Sequence, residues 1–179
     1  MAFIQRCHAE GSKVLLYLGL WDEASGIKDP DPLYAMATSP WYNSSQEALN
    51  ELISVLEQSG DKVAVIVKQH PSGGFPDPLF SNTQIIPVLH LSPGRKPFNL
   101  MHQCDVIVTI ASTLSYIAVA NQKPLVLMGR NLLSNKHIAY EVTTPDELSQ
   151  ALLGALHKND WEERMANRKQ FIWAFARHW

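Results

Sequence analysis

Residues 105–113 read Asp105-Val106-Ile107-Val108-Thr109-Ile110-Ala111-Ser112-Thr113. The β-branched run inside this stretch carries no charge, as expected of a strand covered on both faces. The hydroxyls that close it stand where such a strand hands over to a helix, here over Ser112 to Asn121. The same grammar recurs on either side. Downstream, Leu125-Val126-Leu127-Met128 is a strand closed by Gly129. Upstream, Val63-Ala64-Val65-Ile66-Val67 and Val14-Leu15-Leu16-Tyr17-Leu18 are strands, the latter ending at Gly19. Ile85-Ile86-Pro87-Val88-Leu89 is a weaker one. Pro87 lacks a backbone donor, which puts that strand at an edge or ends it early.

Helical patterns separate these runs. Ser44 followed by Glu47 forms a capping box, and Leu49, Leu52, Ile53 and Leu56 then recur at helical spacing up to a stop at Gly60. Phe98 to Cys104 is a short helix. Thr144-Pro145-Asp146-Glu147 opens another, with an N-cap Thr, Pro in the first turn and Glu at the third position. Its apolar stripe is Leu148, Leu152, Ala155 and Leu156. A last helix runs from about Asp160 to the C-terminus, with Trp161, Met165, Ile172, Phe175 and Trp179 on one side and Arg168 interrupting them. Buried strands alternating with helices imply βαβ units. The reading is a single doubly wound α/β domain with a mainly parallel sheet over residues 13–157, a lead-in at 1–12 and an amphipathic helix at 158–179. Segments 20–43 and 70–84 are long loops of the kind that often carry function.

Composition narrows the classes. The chain has 179 residues, 46% hydrophobic and 18% charged, with a formal net charge of −2. That excludes a disordered chain and a strongly basic nucleic-acid binder. No apolar run reaches the ~20 residues that span a bilayer, and the start, Met1-Ala2-Phe3-Ile4-Gln5-Arg6, is too polar for a signal-peptide core. Two cysteines, Cys7 and Cys104, indicate no disulfide framework and a reducing, cytoplasmic setting. The charged share lies below the ~25% of an average domain, consistent with a face that meets another domain.

Ligands of open parallel sheets bind beyond the carboxyl ends of the strands. The segments that follow the strands are therefore the ones to read. They are Gly19-Leu20-Trp21-Asp22-Glu23-Ala24-Ser25-Gly26, Lys68-Gln69-His70-Pro71-Ser72-Gly73-Gly74, His90-Leu91-Ser92-Pro93-Gly94, Ala111-Ser112-Thr113 and Gly129-Arg130-Asn131. Polar and reactive residues gather at one edge. Ser112 and Thr113 can donate to a phosphate at a helix start; Ser112 is equally an N-cap, and the two roles are compatible. Lys68 and His70 share a side if the chain stays extended, which Pro71 favours, and His70 can donate to a phosphate or protonate a leaving group. Asp22 and Glu23 are a source of a base or nucleophile, or a solvated acidic turn. His102 and Cys104 have no second pair to complete a zinc site. Neither Gly-x-Gly-x-x-Gly nor the P-loop pattern is present.

Taken in order, Gly19-Leu-Trp-Asp-Glu-Ala-Ser, Lys68-Gln-His-Pro, Cys104-Asp-Val-Ile-Val-Thr, Ser112-Thr113 and Lys123-Pro-Leu-Val-Leu-Met-Gly resemble the C-terminal, nucleotide-sugar-binding half of GT-B glycosyltransferases. Within these the chain is most similar to bacterial capsule polysaccharide biosynthesis proteins, which include Kdo transferases, and more distantly to bacterial sialyltransferases. The resemblance spans roughly residues 13–157 and implies a Rossmann-like domain, one half of a GT-B fold. It matches His70 and Pro71 to a His-Pro motif that contacts the donor phosphate. Ser112 and Thr113 match a Ser/Thr phosphate-binding motif. Asp22 and Glu23 match an acidic loop that supplies a catalytic carboxylate. Where many relatives carry a ribose-gripping Glu, this chain has Leu114-Ser115-Tyr116-Ile117-Ala118. The implied substrates are a nucleotide-sugar donor, CMP-linked in preference to UDP or GDP, and a bacterial surface glycan as acceptor. No resident metal or cofactor is implied. An N-terminal GT-B domain or partner subunit would complete the site, in the cytoplasm or at the periphery of the inner membrane. Two other readings stand beside it: a non-catalytic Rossmann-like module that docks on a partner, and another sugar-nucleotide enzyme such as an epimerase.

Overall fold

A computed structural model of the chain describes residues 2–19, 41–42, 44–68, 86–91 and 98–178. In chain order the elements are α1 (Ala2–Ala9), β1 (Lys13–Leu18), α2 (Ser45–Ser59), β2 (Val63–Lys68), β3 (Val88–Leu91), α3 (Phe98–Gln103), β4 (Val106–Thr109), α4 (Leu114–Ala120), β5 (Leu125–Leu127), β6 (Tyr140–Glu141), a 3-10 turn (Pro145–Glu147), α5 (Leu148–His157) and α6 (Trp161–His178). The strands form one six-stranded sheet in the order β3-β2-β1-β4-β5-β6. Every described pair is parallel. This is the doubly wound, Rossmann-like order expected from the alternating pattern.

Strand residues alternate between two cores, as a period of two requires. Leu15, Tyr17, Val65, Val67, Val106 and Val108 face one core together with Leu49, Leu52 and Leu56 of α2 and Leu148, Leu152 and Leu156 of α5. Val14, Leu16, Leu18, Ala64, Ile66 and Ile107 face the other, with Ile4 and Cys7 of α1, Met101 of α3 and Ala118 and Val119 of α4. Each such aliphatic side chain contributes about 1.5–3 kcal/mol on burial, against a net stability of about 5–15 kcal/mol for a whole domain. Continuous apolar runs are thus what a sheet covered on both sides demands.

Local signals hold the helices in place. Glu47 donates its backbone N–H to Ser44 Oγ at 3.0 Å, and Gly60 closes α2 with φ +73°. Thr144 and Glu147 form the reciprocal capping box. The Tyr17 hydroxyl, buried in the first core, donates to Ser45 O at 2.8 Å. One corner of the strand reading shifts. β3 is an edge strand, but it begins at Val88 because Pro87 has no N–H to enter the ladder; the Pro87 carbonyl instead accepts from Val65 N at 2.9 Å.

The last helix differs more. Arg168 does not interrupt its packed face but fastens it. Arg168 Nε donates to Val119 O at 2.5 Å and Nη2 to Ala120 O at 2.8 Å, satisfying carbonyls at the end of α4. Arg164 Nη1 donates to Ala139 O at 2.6 Å and its guanidinium stacks 3.9 Å from the Tyr140 ring centre. Ile172, one of the apolar residues on that side, is exposed.

Gly129 permits the closest backbone approach at the end of β5. A Cβ there would lie 2.8 Å from Ile110 O and 2.7 Å from Ile110 Cγ2. Gly129→Ala is therefore expected to cost about 1–3 kcal/mol, read as a lower denaturation midpoint at unchanged slope.

Candidate functional site

Strand register brings one residue from each strand into a single row near the carboxyl edge: Leu91, Lys68, Leu18, Thr109, Leu127 and Glu141. The switch point of the topology lies in the middle of this row, between β1 and β4. From there the strand order runs outward in both directions. The described helix that follows β1, α2, packs on the first core, and the helix that follows β4, α4, packs on the second. Helices that leave neighbouring strands toward opposite faces open a crevice between them.

A buried hydroxyl joins the two strand ends at this seam. Thr109 is fully buried; its Oγ1 donates to Leu18 O at 3.3 Å and accepts from Ser112 N at 3.1 Å. It ties the end of β1 to the turn after β4. Ser112 Oγ accepts from Leu114 N at 3.2 Å, and Ser112 O accepts from Ser115 N at 2.9 Å. Ser112 is thus an N-cap in fact as well as in pattern, while Thr113, already helical at φ −58°, is exposed. Behind the turn, buried Ser115 accepts from Asn131 Nδ2 at 3.0 Å through its Oγ. Asn131 Oδ1 accepts from Leu133 N at 2.8 Å. The turn and the segment after β5 are thereby locked together.

Lys68 ends β2 in the same row, buried at 4% exposure. Desolvation pulls its ammonium below the ordinary lysine range. Burial disfavours the charged form, and an anion placed beside it would favour that form. Of the residues read from the sequence as site candidates, Lys68, Ser112 and Thr113 lie at this carboxyl edge. Asp22, Glu23, His70 and Pro71 lie outside the described residues.

Two other features resolve as structure. Cys104 is packed in the second core with its thiol pushed up to about 12, chiefly by burial, while His102 is exposed. A cleft of about 510 Å³ runs beside β6, lined in part by Tyr140, Glu141, Glu147 and Arg164. Two of its acids are occupied: Glu141 accepts from Asn135 N at 2.8 and 3.0 Å. Glu147 accepts from Thr143 N at 2.8 Å, Thr143 Oγ1 at 2.5 Å and Thr144 N at 3.2 Å, bonds that hold its carboxyl below the usual range. Thr109 and Asn131 lie in segments quoted from the sequence but were given no role there. A hydroxyl within an aliphatic run was the available signal for Thr109, and the position after a strand end the one for Asn131.

No protein-family model matches the sequence, and no curated protein matches it. Solved structures do. KpsC of Thermosulfurimonas dismutans, a beta Kdo 2,7 transferase, is 14% identical with a TM-score of 0.54, over 84% of this chain and 52% of that one. MnaA of S. aureus, solved with UDP, is 12% identical with a TM-score of 0.59, over 93% and 42%. The UDP-forming alpha,alpha-trehalose-phosphate synthase of Burkholderia xenovorans, solved with glucose-6-phosphate, is 15% identical with a TM-score of 0.60, over 94% and 40%. The chain spans about half or less of the length of these proteins.

The hydroxyl chain is testable without any ligand. Thr109→Val is expected to cost about 1–2 kcal/mol by leaving Ser112 N without its acceptor, and Ser112→Ala about 1 kcal/mol as a lost cap. Because both belong to one network, the double variant in chemical denaturation should lose at least about 0.5 kcal/mol less than the sum. The sheet order and the solved neighbours together give this chain a doubly wound, Rossmann-like fold of the kind that forms one half of the GT-B fold.

Proposed function

We propose that the chain is the donor-binding half of a glycosyltransferase, holding a nucleotide-sugar in the crevice between β1 and β4. The observation that carries the reading is the row at the carboxyl edge, in which Lys68 ends β2 beside the end of β1 and the Ser112–Thr113 turn follows β4. Nucleotide ligands of doubly wound sheets occupy that position. The sugar-nucleotide proteins among the solved neighbours support the same class.

In this reading the donor phosphate lies against Ser112 and Thr113, with Lys68 and His70 supplying positive charge. As the glycosidic C–O bond breaks, its electron pair leaves on the phosphate oxygen, and those groups stabilise the developing charge. Asp22 or Glu23 takes the proton of the attacking acceptor hydroxyl, or attacks the sugar carbon itself. The sequence resemblance favours a CMP-linked donor and a bacterial surface polysaccharide as acceptor, with a further domain or subunit completing the site. The half-length span relative to the neighbours also favours a second reading, a non-catalytic module docked on a partner.

Titration calorimetry of the chain with CMP, UDP and GDP separates these. One nucleotide, CMP first, should bind, and His70→Ala and Lys68→Met should each weaken it by about tenfold or more, as expected for a charge-assisted hydrogen bond. Absence of binding to all three contradicts the proposal. Transfer of labelled sugar to a glycan by the chain eliminates the non-catalytic reading, and product analysis distinguishes transfer from epimerisation.

A further inference from the structure

The distal half of α6 carries a surface that neither the sheet nor the crevice uses. As far as Phe171 the helix is fastened to the body: Arg164, Asn167 and Arg168 reach backbone carbonyls, and Phe171 packs on the second core. Beyond it, Ile172, Trp173, Ala174, Ala176 and Arg177 are exposed, with 60% of Trp173 and 38% of Ile172 open to solvent. Lys169, Trp173 and Arg177 are spaced i, i+4 and i+8, which aligns them in one stripe on the side away from Phe171. The Arg177 guanidinium sits 3.9 Å from the Trp173 ring centre.

Charge is distributed as unevenly as hydrophobicity. From Arg164 to the end, the sequence holds Arg164, Arg168, Lys169 and Arg177 and not one Asp or Glu, although acids outnumber Lys and Arg in the whole chain, 17 to 15. A cationic, aromatic end on an acidic body is complementary to an anionic surface.

We propose that this end of α6 rests on an anionic lipid surface, with Trp173 and Ile172 at headgroup depth and Lys169 and Arg177 on lipid phosphates. Tryptophan favours the membrane interface because its ring is apolar and its N–H polar. Cations one turn to either side meet the surface potential of anionic lipid. A nucleic acid would use the ring and the cations but has no call for aliphatic Ile172. A buried protein interface is ordinarily depleted of lysine at its centre, whereas Lys169 sits beside Trp173 in the stripe. Among the described residues no helix is long and apolar enough to cross a membrane. Attachment through this stripe is therefore superficial and reversible.

The test is flotation of the nuclease-treated, full-length chain with vesicles of phosphatidylglycerol and phosphatidylcholine, against vesicles of phosphatidylcholine alone. Binding should occur with the anionic vesicles and be released by high salt. Trp173→Ser should weaken it at least about tenfold, and Lys169→Gln or Arg177→Gln about fivefold each. Leu132→Ser, an exposed residue outside α6, should change nothing. These side chains are exposed, so circular dichroism should report intact folding for every variant. Absence of binding, equal binding to phosphatidylcholine alone, or indifference to the α6 variants overturns the proposal. So does a Trp173-dependent dimer in light scattering, or Trp173-dependent RNA binding, found in place of lipid binding.

Discussion

The parallel seam between β1 and β4 is the constraint on which the rest of the molecule depends. It is pinned at both ends by side chains of β4 and its approach. At the amino end, Asp105 Oδ2 accepts from Val14 N at 2.8 Å, while Asp105 N donates to Val14 O at the same distance. At the carboxyl end, buried Thr109 donates to Leu18 O. Between these pins Leu15 to Leu18 pair in register with Val106 to Thr109. A one-residue slip would exchange the two cores, so the pins and the apolar alternation enforce one arrangement. The His8 contact to Asp105, 2.9 Å between groups that are each 41% exposed, adds little to this, since solvent screens it.

Fixing that seam also fixes the crevice. β1 leads to β2 on one side of the seam and β4 to β5 on the other, and right-handed crossovers then put α2 and α4 on opposite faces of the sheet. The polar residues collected there follow from geometry: backbone groups that leave the ladder need partners, and Thr109, Ser112 and Asn131 supply them. What holds the turn rigid is thus the same hydroxyl chain that would present donors to a ligand. Glu141 and Glu147 of the cleft beside β6, by contrast, are spent on neighbouring N–H and hydroxyl donors.

Much of this was legible in the sequence because the signals are local. Val63 to Val67 and Val106 to Val108 could only be strands buried on two faces, and Ser44 with Glu47, or Thr144 with Glu147, named their helix starts outright. What was not legible depends on partners distant in the chain. β6 is two residues, Tyr140 and Glu141, too short for any period; it exists because Val142 N finds Leu127 O at 2.9 Å. Arg168 looked like a flaw in an apolar stripe because the carbonyls it serves, Val119 and Ala120, lie some fifty positions earlier. In the site, Lys68, Ser112 and Thr113 could be placed at one edge from strand ends alone, whereas Thr109 and Asn131 required the tertiary hydrogen bonds.

The central claim is that this edge, between β1 and β4, is where the chain meets a nucleotide. Amide shift perturbation in the isotopically labelled chain on adding CMP or UDP tests it most directly. The expected result is a contiguous set of shifted amides at Gly19, Lys68 and Ile110 through Leu114, with the cleft beside β6 and the amino edge around Lys13 and Asp105 unmoved. Shifts confined to those other regions, or none at all, would contradict it.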